Sequence, residues 1–307
     1  MITTVCMNPC FDKTSTVRRL VLGEVNRLEN IRYDVGGKGL NVALVLQRLG
    51  VQATCLCCLG MADEATFGAL LRLEGLHFHY LPLEGKIRVN LKLMDAETGV
   101  VTELNEPGPP MGAEQFSRFI SLLQKEAAHS TYVVFSGSVP EGCGGDVYQR
   151  CMEALPNHRC VLDTAGDALL FGIRERPFLI KPNLPELQIL VGQELRTLNE
   201  IRDAMYGLIK DGVHNVIVSI GKEGALFTDG EQALYAPALQ VNAKSTVGAG
   251  DAMLGGMLMG LEKGADMQES FRFGVAAGAA SVMREGTQPP QYADFERLLP
   301  KVSLREI

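Results

Sequence analysis

Short, unbroken apolar runs recur along this chain, and glycine or polar residues cut each one off. Thr54–Leu59 is such a run, followed by helical spacing at Phe67–Leu73. Tyr132–Phe135 gives way to Ser136-Gly137-Ser138, and Cys160–Leu162 to Asp163-Thr164. Phe178–Ile180 gives way to Lys181-Pro182-Asn183, and Asn215–Ile220 to Gly221. Longer stretches of helical period, such as Gly112–His129 and Leu198–Asp211, separate the runs. Apolar runs this short, without polar alternation, suit strands covered on both faces. Strands alternating with helices predict an α/β fold, a mostly parallel sheet flanked by helices on both faces. In open sheets of this kind ligands bind beyond the carboxyl ends of the strands. The residues that end the apolar runs are therefore the first candidates for a site.

Two segments depart from the rhythm. Thr14–Tyr33 and Gly85–Leu104 are richer in polar and β-branched residues, and Arg88–Met94 alternates with period two. That alternation fits a half-exposed antiparallel sheet. The two segments are read as a small β flap over one end of the main sheet.

Composition narrows the function classes. The 307 residues carry 36 acidic and 29 basic side chains, a formal net charge of -7. No basic tail or stripe offsets that balance, so there is no electrostatic footprint for nucleic acid. An anionic substrate would need positive charge focused locally. No basic n-region precedes the first apolar run, and no run reaches the roughly 18 residues of a membrane span. A cytoplasmic protein without a membrane partner is expected. The 8 cysteines read as reduced thiols. Cys55 and Cys58 form a C-x-x-C, but no second pair follows at zinc spacing, so they are read as small buried hydrophobes.

Ser245-Thr246-Val247-Gly248-Ala249-Gly250-Asp251 leads into the helical pattern Ala252–Leu261. Small residues let successive N–H groups converge, and the helix start adds partial positive charge. Together these would form an anion hole, with Asp251 able to accept a proton from an attacking hydroxyl. The alternative is a carboxylate that only stabilises a first helical turn. Gly36-Gly37-Lys38-Gly39-Leu40-Asn41 precedes another helical pattern, Val42–Leu49. It could hold a charged ligand against the backbone or could simply be a tight turn. It is neither a Walker A loop nor a G-x-G-x-x-G fingerprint, so a nicotinamide oxidoreductase has no support. Asp12, Arg88, the Lys181-Pro182-Asn183-x-x-Glu186 segment and Ser219-x-Gly221-x-x-Gly224 are weaker candidates. His77 and His79 read as half-exposed strand residues. No histidine lies inside the glycine motifs, which leaves a Ser-His-Asp hydrolase without support.

Taken in order, these motifs resemble the PfkB branch of the ribokinase-like carbohydrate kinases. The matching segments are Asn8-Pro9-Cys10-Phe11-Asp12, Gly23–Arg27 with Gly36–Ala43, Ser136–Pro140, Lys181–Glu186, Ser219–Ala225 and Thr246–Asp251. The resemblance implies one ribokinase-like α/β domain over 1–307, with a lid from discontinuous segments about 14–33 and 85–104. It implies ATP and Mg2+ as cofactors, Asp251 as catalytic base, and N–H groups of Gly248, Ala249 and Gly250 as the anion hole. By the same resemblance Asp12, Gly37, Lys38 and Asn41 hold sugar hydroxyls. Arg88 and Ser138, with Arg27 or Lys38, face a phosphate already on the sugar. Asn183 and Glu186 organise the waters of magnesium–ATP, while Lys181, Ser219, Gly221 and Gly224 lie along ATP. A homodimer through the lid is implied as well.

Many relatives carry Asp before the Thr of the last motif, whereas this chain has Ser245. With Ser-Gly-Ser-Val-Pro and Asn-Pro-x-x-Asp, that resembles the subgroup acting on phosphosugars, which includes 1-phosphofructokinases, tagatose-6-phosphate kinases and the minor 6-phosphofructokinase. Fructose 1-phosphate is the implied substrate. Tagatose 6-phosphate is the alternative, and a catalytically inactive sugar-phosphate sensor is a further one.

Overall fold

The computed structural model describes residues Met1–Ile307. Its strands, in chain order, are β1 (Ile2–Cys6), β2 (Cys10–Val17), β3 (Glu29–Gly36), β4 (Ala53–Gly60), β5 (His77–Leu83), β6 (Arg88–Asp95) and β7 (Val101–Asn105), then β8 (Tyr132–Ser136), β9 (Arg159–Asp163), β10 (Leu179–Ile180), β11 (Val216–Ser219), β12 (Gly224–Thr228), β13 (Ala233–Pro237) and β14 (Arg305–Glu306). A 10-stranded sheet runs β14-β13-β12-β11-β10-β9-β8-β1-β4-β5. Every pairing from β5 across to β11 is parallel. Only the β11–β12, β12–β13 and β13–β14 pairings are antiparallel.

The missing polar alternation has its cause in two cores. Along β4, Cys55, Cys57 and Leu59 enter one buried cluster, and Leu56 and Cys58 enter the other. Successive side chains of a strand point to opposite faces, so a strand covered twice must be apolar throughout. The helices Lys38–Arg48, Ala249–Glu262 and Met267–Ser281 pack on the first face, and Ala113–Ala127, Val147–Glu153 and Leu198–Lys210 on the second. Local signals set helix ends, as where Thr197 and Glu200 close a reciprocal capping box. All eight cysteines are buried free thiols. No helix is long and apolar enough to cross a membrane.

The remaining strands form a separate 4-stranded sheet, β3-β2-β6-β7. It spans Cys10 to Gly36 and Arg88 to Asn105, wider at the first segment than the Thr14–Tyr33 expected from composition. The expected antiparallel sheet is mixed: β2–β3 and β6–β7 are antiparallel, but the central β2–β6 pairing is parallel. The reason lies in the main sheet. β2 follows β1 after Met7-Asn8-Pro9, and β6 follows β5 after a short turn. Since β1 and β5 run the same way, their chains leave the same edge and enter the small sheet in one direction.

Candidate active site

The carboxyl ends of β1, β8, β9, β10 and β11 lie along one edge of the main sheet because those strands are parallel. Asp163 ends β9, Lys181 follows β10, and Lys38 opens the helix after β3. The Nζ atoms of Lys38 and Lys181 each stand 3.2 Å from Asp163 Oδ1. The hydroxyl of Ser136, at the end of β8, donates to Asp163 Oδ2 at 3.3 Å. Burial opposes the Asp163 charge, but the Lys181 and Lys38 ammoniums outweigh it and hold the carboxyl below its ordinary value. The same Asp163 carboxylate pushes Lys38 above the ordinary lysine value.

Asp251 sits in the first turn of Ala249–Glu262 and is buried. Asn41 Nδ2 donates to its Oδ2 at 2.7 Å. Burial, and then the neighbouring Asp163 charge, push the Asp251 carboxyl up to about 6, against the pull of Lys38, Asn41 and Lys181. A carboxylate with that affinity for protons is equipped to take one from a hydroxyl near neutral pH. The backbone beside it is open to an anion. The Gly248 and Gly250 N–H groups donate to no backbone acceptor in the chain, while Ala249 N–H turns onto the Thr246 carbonyl at 3.3 Å. The expected three-donor hole is thus narrower here, with Ala249 engaged in its own turn. Lys181 lies against it: a Cβ on Gly250 would stand 3.0 Å from Lys181 Nζ.

A second cluster forms where the small sheet meets the main one. Asp12 is buried on β2, and its Oδ2 faces Lys92 Nζ of β6 at 2.9 Å. Thr287 Oγ1 donates to the same oxygen at 3.3 Å. Gly39 explains how the glycine loop reaches this place, since a Cβ there would lie 2.3 Å from the Val5 carbonyl oxygen. Only glycine lets the loop backbone pack that closely on β1. Arg88 begins β6, and its Nε and Nη2 donate to the Asn8 carbonyl at 3.2 and 3.0 Å. Its Nη2 also reaches Ser138 Oγ at 3.4 Å, and Asn8 Nδ2 donates to that oxygen at 3.2 Å. Asn41 Oδ1 and Asn90 Oδ1 are buried side-chain oxygens without a hydrogen-bond partner. Buried acceptors are ordinarily satisfied, so donors from a polyol would suit them.

Other candidates have plainer surroundings. Asn183 and Glu186 form a capping box, each side chain bonded at 2.8 Å to the other's backbone N–H. Gly224 is required by packing, because a Cβ would meet the Ala236 carbonyl at 2.0 Å. Ser219 is half-buried and bridges to Asn183, and Gly221 is exposed. Gly37 sits at φ 121° at the loop's entry. Arg27 is exposed on the turn joining β2 to β3, outside the buried clusters. Sequence reasoning passed over Asn90, Lys92 and Thr287, and it named Asp163 among the residues that end apolar runs without giving it a role. Asp163 carried a usable signal as the polar residue ending an apolar run. Lys92 lies within the alternating Arg88–Met94 pattern, which reads only as a half-exposed strand.

Residues 6–293 match the pfkB family of carbohydrate kinases. The chain belongs to that family. It is 33% identical over 309 residues to the 1-phosphofructokinase of Haemophilus influenzae, covering 100% of this chain and 98% of that one. The 1-phosphofructokinase of Bacillus subtilis is also 33% identical over 309 residues, with 100% of both chains covered. The crystal structure of Escherichia coli phosphofructokinase-2 with substrates and products superimposes at a TM-score of 0.92, with 29% identity over 98% of each chain. A structure described as that enzyme's tetrameric inhibited form gives 0.90 at 28% identity, again over 98% of each chain. Membership makes this protein a carbohydrate kinase of the ribokinase-like fold.

Proposed function

We propose that this kinase transfers the γ-phosphoryl group of ATP to the 6-hydroxyl of fructose 1-phosphate, giving fructose 1,6-bisphosphate and ADP. The observation that carries the reading is the meeting, at one sheet edge, of a proton-accepting carboxylate with a cationic pair. Asp251, raised to about 6, stands beside Lys38 and Lys181. The 1-phosphofructokinase relatives supply the choice of substrate. Asp251 takes the proton of the 6-hydroxyl as its oxygen bonds to the γ-phosphorus. The bond from that phosphorus to the β–γ bridging oxygen breaks, and ADP leaves with the electron pair. The Gly248 and Gly250 N–H groups, with Lys181, face the negative charge spread over the transferring oxygens. Asp12, Asn41 and the Gly37–Lys38 backbone orient the sugar hydroxyls. Arg88 and Ser138, joined at 3.4 Å, face the 1-phosphate.

Mg2+ would neutralise phosphate oxygens of the bound nucleotide. The capping box leaves the Oε1 atom of Glu186 uncommitted, which suits a cation held through water, as magnesium sites on nucleotides often are. The small sheet is read as a lid that excludes water from the phosphoryl acceptor. Its exposed apolar residues include Leu22 at 90% and Val25 at 87% on the connection from β2 to β3, with Ile31, Tyr33 and Leu104 on one face of the sheet, and a second copy covering this patch is the proposed homodimer. Light scattering of Leu22→Ser/Val25→Ser against wild type tests it. The proposed location is the cytoplasm, where both substrates of such a kinase are found.

Initial rates of ADP release with magnesium–ATP, comparing fructose 1-phosphate, tagatose 6-phosphate and fructose 6-phosphate, test the reading. A kcat/KM for fructose 1-phosphate at least about tenfold above the others, about 1.4 kcal/mol of discrimination, is the expected result. Preference for tagatose 6-phosphate would reassign the substrate, and turnover of none would end the phosphosugar reading.

A further inference from the structure

Lys92 is in an unusual place for a lysine. It lies on β6 between Leu91 and Leu93, and its side chain is 8% exposed. Its Nζ stands 2.9 Å from Asp12 Oδ2, and the Asp12 side chain is 5% exposed. A buried ion pair is seldom a better source of stability than apolar residues of the same size. The pair therefore calls for a reason beyond holding the small sheet together. Asp12 has acceptor capacity to spare: Oδ2 takes Lys92 and Thr287, whereas Oδ1 takes only the Cys10 thiol at 3.6 Å. It also sits among other polar atoms without full partners, with Asn90 on the adjoining strand. A bare carboxylate here would repel a phosphorylated sugar. A carboxylate already paired to an ammonium adds no net charge, yet still accepts hydroxyl protons.

We propose that Lys92 is a positioning and specificity-determining residue, the fixed counter-ion that lets Asp12 accept sugar hydroxyls beside an anionic substrate. The inference rests on the reading of the site as a ketose-phosphate kinase. Lys92 acts through Asp12 and touches no reacting atom. Thr287 completes the arrangement. It donates to Asp12 Oδ2, and its Cα lies 3.8 Å from where a Cβ on Gly248 would stand. The carboxylate is thereby held from the lid strand on one side and from beside the anion-hole loop on the other.

The test is steady-state kinetics of the full-length enzyme with fructose 1-phosphate, with thermal melts as control. Lys92→Met should raise KM for the sugar phosphate at least about tenfold (about 1.4 kcal/mol). It should leave kcat within about threefold and KM for ATP unchanged. A residue that only held the fold together would lower the melting temperature without this split. Lys92→Met orphans a buried carboxylate and risks the fold, so the second pair is Asp12→Asn and Asp12→Asn/Lys92→Met. With Asp12 neutral, removing Lys92 should change kcat/KM by less than about threefold. A sugar-phosphate KM within threefold of wild type in Lys92→Met would overturn the inference. So would an undiminished loss in the Asp12→Asn background, which would mean that Lys92 acts on the substrate itself. Failure of the wild-type enzyme to turn over any ketose phosphate would instead sink the functional reading, and this inference with it.

Discussion

Replacing Asp251 with asparagine should make the folded protein more stable at neutral pH while removing its turnover. The carboxyl titrates near 6 when folded, against an ordinary value of 3.8. Holding it charged at neutral pH therefore costs about 3 kcal/mol of folding free energy. The sign follows from proton binding. Between the two values the folded state binds the proton that the unfolded state has lost. The protonated form's contribution to stability is thus complete below 3.8 and is lost as pH rises through about 6. Between pH 5 and pH 7.5 wild type should lose about 1.4 kcal/mol from this group alone. Asp251→Asn cannot lose it. The amide brings its own penalty of about 1 to 3 kcal/mol if its NH2 finds no acceptor, but that penalty does not vary with pH. The assay is urea unfolding followed by circular dichroism at both pH values, for wild type and variant. The stability gap should move in the variant's favour by about 1.4 kcal/mol from pH 5 to pH 7.5, while kcat falls by about 10² to 10⁴. A pH-independent gap would refute the raised affinity, and near-wild-type turnover would remove Asp251 from the chemistry.

Wild-type kcat/KM should fall on the acid side with an inflection near 6, set by Asp251, and a profile flat down to pH 5 would contradict this. Asp163→Asn should lower stability by about 3 to 5 kcal/mol, because it leaves two lysines facing a neutral amide, as denaturant unfolding would show. In wild type, Asp163 contributes stability that is lost as pH falls through its depressed value. Gly39→Ala should drive a methyl to 2.3 Å from the Val5 carbonyl, lowering stability by about 1 to 3 kcal/mol, measured by melting temperature and soluble yield. Arg88→Ala should raise KM for fructose 1-phosphate about tenfold to a hundredfold, the equivalent of one charge-assisted hydrogen bond, with KM for ATP unchanged.

Much of this protein was legible in its sequence, and where it was not the reason is one of range. A run such as Cys55–Leu59 must be apolar when two cores cover it, so double burial writes itself into neighbouring residues. A capping box links residues only three positions apart, so the Thr197–Glu200 pair depends on its own helix start alone. The small residues before Asp251 likewise act on their own backbone, where Ala249 N–H turns onto the Thr246 carbonyl. The charge pairs do not. Lys38 meets Asp163 across 125 positions, Asn41 meets Asp251 across 210 and Thr287 meets Asp12 across 275. Nothing local at Lys92 told that its strand would lie parallel to β2 with the ammonium turned inward on Asp12. That depended on the order of strands in the main sheet, which sends β2 and β6 out of the same edge. The raised affinity of Asp251 is of the same kind: burial and the Asp163 charge exist only once the sheet edge is assembled. Local backbone chemistry is set by adjacent residues, whereas the electrostatics of the site depend on which distant residues the sheet brings within a few ångströms.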